Sequence, residues 1–228
     1  MRKFAVIGLG RFGARVARTL AERGAEVIAV DKDERLIAEF KDIVALAVKM
    51  DSTDEEALKS QGIDQVDVAI VSIGENFESS VLTTALLKRL GVPTVITRAS
   101  RTASRIRERI LNLIGADRVV LPEEEMGKRL AQNLLVSSIL DYIPISQKYS
   151  AAEVRASKKF WDKKIGDLKI REKYKVSILE IKKVSGEGKN AKVEKINYLP
   201  QANDVIEKGD VLLVIGEEED IEHLSKEE

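Results

Sequence analysis

A glycine-rich segment near the N-terminus carries the clearest chemical signal in this sequence. Gly8, Gly10 and Gly13 have the spacing Gly-x-Gly-x-x-Gly, directly after an apolar run and directly before a helical pattern. In that context the first glycine allows a tight turn, the second lets a phosphate approach the backbone, and the third lets the helix pack on the strand. Free N–H groups at the helix start then favour an anion. The segment predicts a nucleotide phosphate site rather than a merely structural turn.

An acidic residue completes this pattern. Asp31 ends the second apolar run and lies 18 residues beyond Gly13. In a dinucleotide-binding fold, a carboxylate at this position accepts hydrogen bonds from ribose hydroxyls. The same negative charge repels a 2′-phosphate, which disfavours NADP.

Two residues inside the glycine-rich turn add to the expected site. Arg11 would lie beside the phosphates, where a guanidinium can pair with a terminal phosphate of a nucleotide. That role fits ATP or ADP at least as well as NAD, and the alternative is an arginine that faces solvent. Phe12, the next residue, is expected among the nucleotide contacts.

Polar residues also follow the other apolar runs, where a parallel sheet would place them at one edge. The expected contacts there are Lys32, Asp51, Ser52, Thr53, Ile73, Gly74, Asn76 and Arg98. Residues 51–53 are interpreted equally well as a helix N-cap. Arg98 is interpreted equally well as an exposed surface residue.

These residues meet only if strands and helices alternate along the first 140 positions. Strands are expected at Phe4–Ile7, Glu26–Val30, Val44–Val48, Asp67–Ile73, Thr94–Thr97 and Arg118–Leu121. Helical periodicity occupies Phe12–Arg23, Glu34–Phe40, Asp54–Gln61, Phe77–Leu90 and Ser104–Ile114. Six strands alternating with five helices predict an α/β fold, a Rossmann-like, doubly wound parallel sheet.

The pattern changes in the last third of the chain. A sixth helix is expected from Glu123 to about Leu140, with an apolar face that packs on its own sheet or on a partner subunit. Strands are then expected at Ala151–Ala156, Val176–Lys182, Lys192–Leu199 and Val211–Ile215, with short helices near Trp161–Leu168 and Glu218–Leu224. We therefore predict a nucleotide-binding domain over 1–140, a linker over 141–150, and a small α+β domain over 151–228.

Composition excludes several classes of protein. The chain has 38 basic and 38 acidic residues, so it lacks the basic excess that nucleic-acid binding requires. It has no cysteine and a single histidine, His223, which excludes thiolate chemistry and histidine-based metal or serine triads. No apolar run is long enough for a bilayer span or a signal peptide, so we expect a cytoplasmic protein.

Several segments together resemble one family, the KtrA/TrkA-type regulators of potassium uptake. Such a regulator has a nucleotide-binding domain of the RCK type (regulator of potassium conductance) followed by a small RCK C-terminal domain. The segments that carry the resemblance are FAVIGLGRFG at 4–13, residues 27–31, IVSIGEN at 70–76, LTTALL at 82–87, GADR at 115–118, PEEEMG at 122–127, residues 163–183, and IEKGDVLLVIG at 206–216. They follow the family order over nearly the whole chain.

The resemblance implies a cytosolic gating subunit rather than an enzyme. Such proteins form homo-oligomers, typically an octameric ring, on the inner face of the membrane beneath a potassium-transporting subunit of the KtrB/TrkH type. ATP and ADP compete for the Rossmann-like site, and some members bind NAD. Carried over by position, the nucleotide contacts are Gly8, Gly10, Arg11, Gly13, Asp31 and Asn76.

The family also implies a divalent cation near the phosphates. Glu123 corresponds to the carboxylate that helps to bind it, and the alternative is a first-turn glutamate that serves only the helix dipole. Asp51 falls where some relatives have asparagine. Some relatives bind cyclic di-AMP in the C-terminal domain, but the corresponding stretch here, 178–200, is lysine-rich and loop-expanded, which argues against that ligand.

Two other functions remain open from the residues alone. An NAD-dependent oxidoreductase would use the same glycine-rich turn, but the sequence offers no obvious proton-transfer group beside it. An interaction module with a purely structural nucleotide would need no such group.

Overall fold

A computed structural model describes residues 2–74, 76–99, 104–135, 139–146, 148–185 and 192–226. The chain divides into two compact units, Met1–Glu124 and Glu125–Glu228. No helix in these ranges is both long and apolar enough to cross a membrane.

The first unit contains a parallel six-stranded sheet with the order β3-β2-β1-β4-β5-β6. Its strands are β1 (Lys3–Ile7), β2 (Glu26–Asp31), β3 (Leu46–Lys49), β4 (Val68–Val71), β5 (Thr94–Arg98) and β6 (Arg118–Val120). The intervening helices are α1 (Arg11–Glu22), α2 (Glu34–Ala38), α3 (Glu55–Ser60), α4 (Phe77–Arg89) and α5 (Ser104–Leu113). This confirms the predicted fold class. The strand order reverses direction at β1, which is where such sheets bind ligands.

The strands of this sheet are buried between two apolar cores. All four residues of β4 are buried, as a strand covered on both faces requires. Alternate residues of β1 enter different cores, because Ala5 and Ile7 pack with Leu58 and Leu87 while Val6 packs with residues from α1 and α2. The sheet is therefore packed on both faces, which leaves its carboxyl edge as the place where a ligand can bind.

The second unit is built on an antiparallel five-stranded sheet with the order β11-β10-β13-β8-β7. Its strands are β7 (Ile139–Pro144), β8 (Tyr149–Arg155), β10 (Ser177–Ser185), β11 (Lys192–Asn197) and β13 (Val211–Glu217). A two-stranded ribbon joins β9 (Lys163–Lys164) and β12 (Val205–Ile206), and the short helices are α7 (Ile165–Leu168), α8 (Ile170–Tyr174) and α9 (Glu218–Ser225). One apolar cluster, which includes Ile181, Leu212 and Ile221, forms the core of this unit.

The segment between the two predicted domains differs from the expectation. Helix α6 spans Pro122–Leu135 and ends before Leu140, while positions 136–138 lie outside the described residues. Strand β7 and the start of β8 occupy most of the predicted linker and pair antiparallel. Apolar residues at 134, 135, 139 and 140 fit a helical period, but pairing with β8 decides the outcome for 139 and 140. The domain limits 1–140 and 151–228 stay a prediction.

The contact between α1 and β1 can be tested with one methyl group. A Cβ at Gly13 would lie 1.9 Å from the Gly8 carbonyl oxygen and 2.9 Å from Ser72 Oγ. We expect Gly13→Ala to lower the free energy of unfolding by about 1–3 kcal/mol, measured by urea denaturation, because the helix must move away from the strand. Gly10→Ala is the control, since a Cβ there meets nothing within 4 Å. Equal stability of the two variants would contradict this account.

Candidate functional site

The turn between β1 and α1 joins three strands by backbone contacts. Gly8 has a φ of +93°, and a Cβ there would lie 3.0 Å from the Ser72 carbonyl carbon. The Gly8 N–H donates to the Val30 carbonyl oxygen at 2.8 Å, and the Ser72 N–H donates to that of Ile7 at 2.7 Å. Glycine is required at position 8, because any side chain would push the turn away from β4.

Helix α1 begins with its first N–H groups uncovered. Gly10 is the N-cap residue and provides no side-chain cap, and the first turn contains no acidic residue. Space above Gly10 is open. The start of α1 therefore offers N–H donors and a positive dipole to a phosphate group.

Asp31 links the glycine-rich turn to the end of β2. Its Oδ2 accepts the Leu9 N–H at 2.6 Å, and its Oδ1 accepts the Asp33 N–H at 2.8 Å. Each carboxylate oxygen keeps a second lone pair that can accept a ribose hydroxyl. Asp31 thus has a structural role that the sequence did not reveal, beside the predicted role in binding.

A cavity of about 1230 Å³ opens at the carboxyl edge of the sheet. This volume exceeds the roughly 300–1,000 Å³ that is typical of small-molecule pockets, so the cavity is large enough for such a ligand. Most of the predicted contacts line it, namely Gly8, Gly10, Arg11, Phe12, Asp31, Lys32, Ser52, Ile73, Gly74, Asn76, Arg98 and Glu123. The fold therefore brings together residues that are more than 100 positions apart in the sequence.

Three predicted contacts, Gly13, Asp51 and Thr53, do not line this cavity. Gly13 lies beneath the turn, against Gly8 and Ser72. Asp51 accepts the Thr53 N–H at 2.9 Å and its hydroxyl at 2.6 Å, and pairs with Lys32 Nζ at 3.0 Å. These Thr53 hydrogen bonds, and then Lys32, lower the pKa of Asp51 to about 2. The ionised carboxylate holds Lys32, which does line the cavity.

The alternative interpretation of residues 51–53 as a helix N-cap is wrong. Asp54 caps α3, because its Oδ1 accepts the Glu56 and Ala57 N–H groups at 2.9 and 3.1 Å. Ser52 is instead buried, and its hydroxyl bonds that of Thr83 on α4 at 2.9 Å. Through Ser52, the segment that follows β3 is therefore hydrogen-bonded to α4 beside the cavity.

Asn76 has a capping role as well as a place in the cavity wall. Its Oδ1 accepts the Ser79 N–H at 3.0 Å and so caps α4. This leaves its amide N–H groups as the donors available to a ligand.

Arg98 and Glu123 form an ion pair in the cavity wall. The Arg98 guanidinium, at the end of β5, donates to Glu123 in the first turn of α6. It also lies 5.9 Å from the centre of the Phe12 ring. Arg98 is thus not an exposed surface residue, since its side chain is only 19% exposed.

Several lining residues were not among the predicted contacts. Among them are Arg15, Asp33, Leu36, Met50 and Ser79. The spacing of Arg15 contains a usable signal, because it lies one helical turn beyond Arg11 and shares its face.

In the described part of the chain, the histidine and carboxylate side chains alone do not assemble a cation site. Among the described residues, no group of three or more histidines, cysteines or carboxylates is placed to hold a metal ion. The Glu123 carboxylate is engaged by Arg98. A divalent cation at this position would have to draw most of its oxygen ligands from a bound phosphate chain and water.

Comparison with known proteins gives a consistent match along the chain. The TrkA-N domain model matches residues 4–122 and the TrkA-C domain model matches residues 150–227. The chain is 42% identical to Ktr system potassium uptake protein C of Bacillus subtilis (strain 168), over 99% of this chain and 96% of that protein. It is 38% identical to Ktr system potassium uptake protein A of the same organism, again over 99% and 96%.

Solved structures share the fold at low sequence identity. The TrkA-N domain of inner membrane protein ybaL from Escherichia coli matches with a TM-score of 0.52 at 18% identity, over 58% of this chain and 96% of that one. The GsuK RCK domain matches with a TM-score of 0.51 at 19% identity, over 96% of this chain and 45% of that one.

The role of Asp31 can be tested by replacing it. We expect Asp31→Ala to weaken adenine nucleotide binding by about 1–3 kcal/mol, measured by calorimetry, because hydrogen bonds to a charged group are lost. Asp54→Ala is the matched control, since it removes an exposed helix cap outside the cavity and should lower stability without changing affinity. Unchanged nucleotide affinity in Asp31→Ala would count against a ribose contact.

Proposed function

The chain belongs to the family defined by the TrkA-N and TrkA-C domains, and we propose that it is the nucleotide-binding gating subunit of a potassium transport system. The observation that carries this proposal is the cavity at the sheet edge. Uncapped N–H groups of α1, the Asp31 carboxylate and Arg98 all border it. Its chemistry therefore suits a ribose and a phosphate chain, in a relative of potassium uptake proteins.

The proposed ligand is ATP or ADP, with NAD as the alternative nucleotide. Arg11, the first residue of α1, and Arg15, one helical turn further along, both line the cavity, where they add positive charge for a phosphate chain. Asp31 opposes a 2′-phosphate at the ribose end. A divalent cation at Glu123 would take most of its ligands from the phosphate oxygens.

We propose regulation rather than catalysis for this site. Among the described residues that line the cavity there is no histidine, cysteine or tyrosine. Lys32, which could transfer a proton, is paired with Asp51. Family membership supports the same conclusion, because the similar proteins are potassium uptake proteins.

Assembly into a homo-oligomer, an octameric ring in this proposal, is supported by apolar side chains left in solvent. Met126, Leu130 and Leu134 share one face of α6 and are 60%, 57% and 74% exposed. Ile106 and Leu113 form a second such face on α5, at 68% and 77%. Exposed apolar faces of this kind are typical of protein–protein contacts. The proposed partner is a membrane potassium-transporting subunit, which would hold the ring at the cytoplasmic side.

Gating can be tested in proteoliposomes that contain the partner transporter. Nucleotide can act only through different affinities for two conformations of the assembly. We expect ATP to change potassium flux and ADP to change it less or in the opposite direction. Identical flux with ATP, with ADP and without nucleotide, at saturating occupancy, would refute gating and favour a structural nucleotide.

Assembly can be tested by charging the apolar face of α6. We expect the wild-type chain to be larger than a dimer by light scattering, and Leu130→Glu to reduce its mass at micromolar concentration. Lys128→Glu is the control, because position 128 is two residues from Met126 and faces away from it. A monomeric wild type, or equal masses for both variants, would contradict the assignment.

A further inference from the structure

The Arg98–Glu123 ion pair lines the same cavity as Gly10 and Arg11 at the start of α1, where the phosphate chain is proposed to bind. We propose that Glu123 and a nucleotide phosphate compete for the Arg98 guanidinium, so that nucleotide binding breaks the ion pair. This inference rests on the proposed function. It assigns to Arg98 the task of linking phosphate binding to the first turn of α6.

The position of the guanidinium supports this competition. It lies 5.9 Å from the centre of the ring of Phe12, the second residue of α1. A Cβ built on Gly74 would lie 2.9 Å from Arg98 Nη1. Because glycine has no Cβ, there is room for the guanidinium beside this residue. The charge therefore lies between the phosphate-binding turn and the end of β4.

The hydrogen-bonding state of Arg98 indicates which edge a phosphate would take. Nη2 donates to Glu123, whereas Nε is buried and has no partner within the described part of the chain. Leaving a buried donor unpaired is costly. A phosphate bound across Nε and Nη2 would satisfy Nε and form the bidentate pair that guanidinium favours. It would also take Nη2 away from Glu123.

Breaking the pair has a structural consequence. Glu123 lies directly after Pro122, the first residue of α6, and Arg98 ends β5. The ion pair therefore ties the start of α6 to the sheet, and the side chains are half-exposed or less, at 45% and 19%. Because α6 runs from the first unit into the second, a phosphate that releases Glu123 removes one restraint on the helix that connects them.

A double-mutant cycle on nucleotide affinity tests the competition. ADP affinity is measured by calorimetry in EDTA for the wild type, Arg98→Gln, Glu123→Gln and the double variant, with thermal unfolding to confirm that each is folded. Simple repulsion between Glu123 and phosphate would make Glu123→Gln tighten ADP binding equally in both backgrounds. Competition for Arg98 predicts at least threefold more tightening when Arg98 is present.

Adenosine, which has no phosphate, provides the internal control and should give an additive cycle. Arg98→Lys keeps the positive charge but loses the bidentate geometry of the guanidinium, so we expect it to retain part of the coupling. This variant replaces Arg98→Gln in the cycle if Arg98→Gln does not fold. An additive cycle with ADP, in a wild type that binds ADP well, overturns the exchange but leaves the proposed function intact. A wild type that binds neither ATP, ADP nor NAD overturns both.

Discussion

The close approach of the glycine-rich turn to the ends of β2 and β4 is the constraint on which the site depends. Two hydrogen bonds hold the turn. The Gly8 N–H donates to the Val30 carbonyl oxygen at 2.8 Å, and the Leu9 N–H donates to the Asp31 carboxylate at 2.6 Å. There is no room for a side chain at Gly8 or Gly13. These contacts fix the position of the turn beside the cavity, so a ligand at the start of α1 meets a preorganised site.

Two of the basic side chains that line the cavity are paired with carboxylates. Lys32 is held by Asp51, and Arg98 is held by Glu123. Such pairs keep cations beside the expected phosphate position while neutralising them locally. In the proposed exchange, a ligand that carries its own negative charge replaces a protein carboxylate on Arg98.

Helix α6 bears both a residue of the cavity wall and an exposed apolar face. Helix α6 starts with Pro122 and Glu123 in the cavity wall and continues to residues whose apolar side chains are exposed, Met126, Leu130 and Leu134. The same helix therefore bears a carboxylate that can sense a ligand and an apolar face suited to another subunit. If the proposed function holds, this continuity gives a change at the proposed nucleotide site a path to the proposed subunit contacts.

The sequence by itself determined the parallel sheet, the glycine-rich turn and Asp31, because these depend on periodicity and spacing within a single β-α-β unit. It also identified the sixth helix, but not that Ile139 and Leu140 belong to β7 instead, since strand pairing with distant β8 decides this. Only the tertiary structure showed that Arg98 pairs with Glu123 and that Arg15 and Met50 line the cavity. It also showed that Asp54, and not residues 51–53, caps α3. Those outcomes depend on distances between side chains of separate elements, which local sequence patterns do not encode.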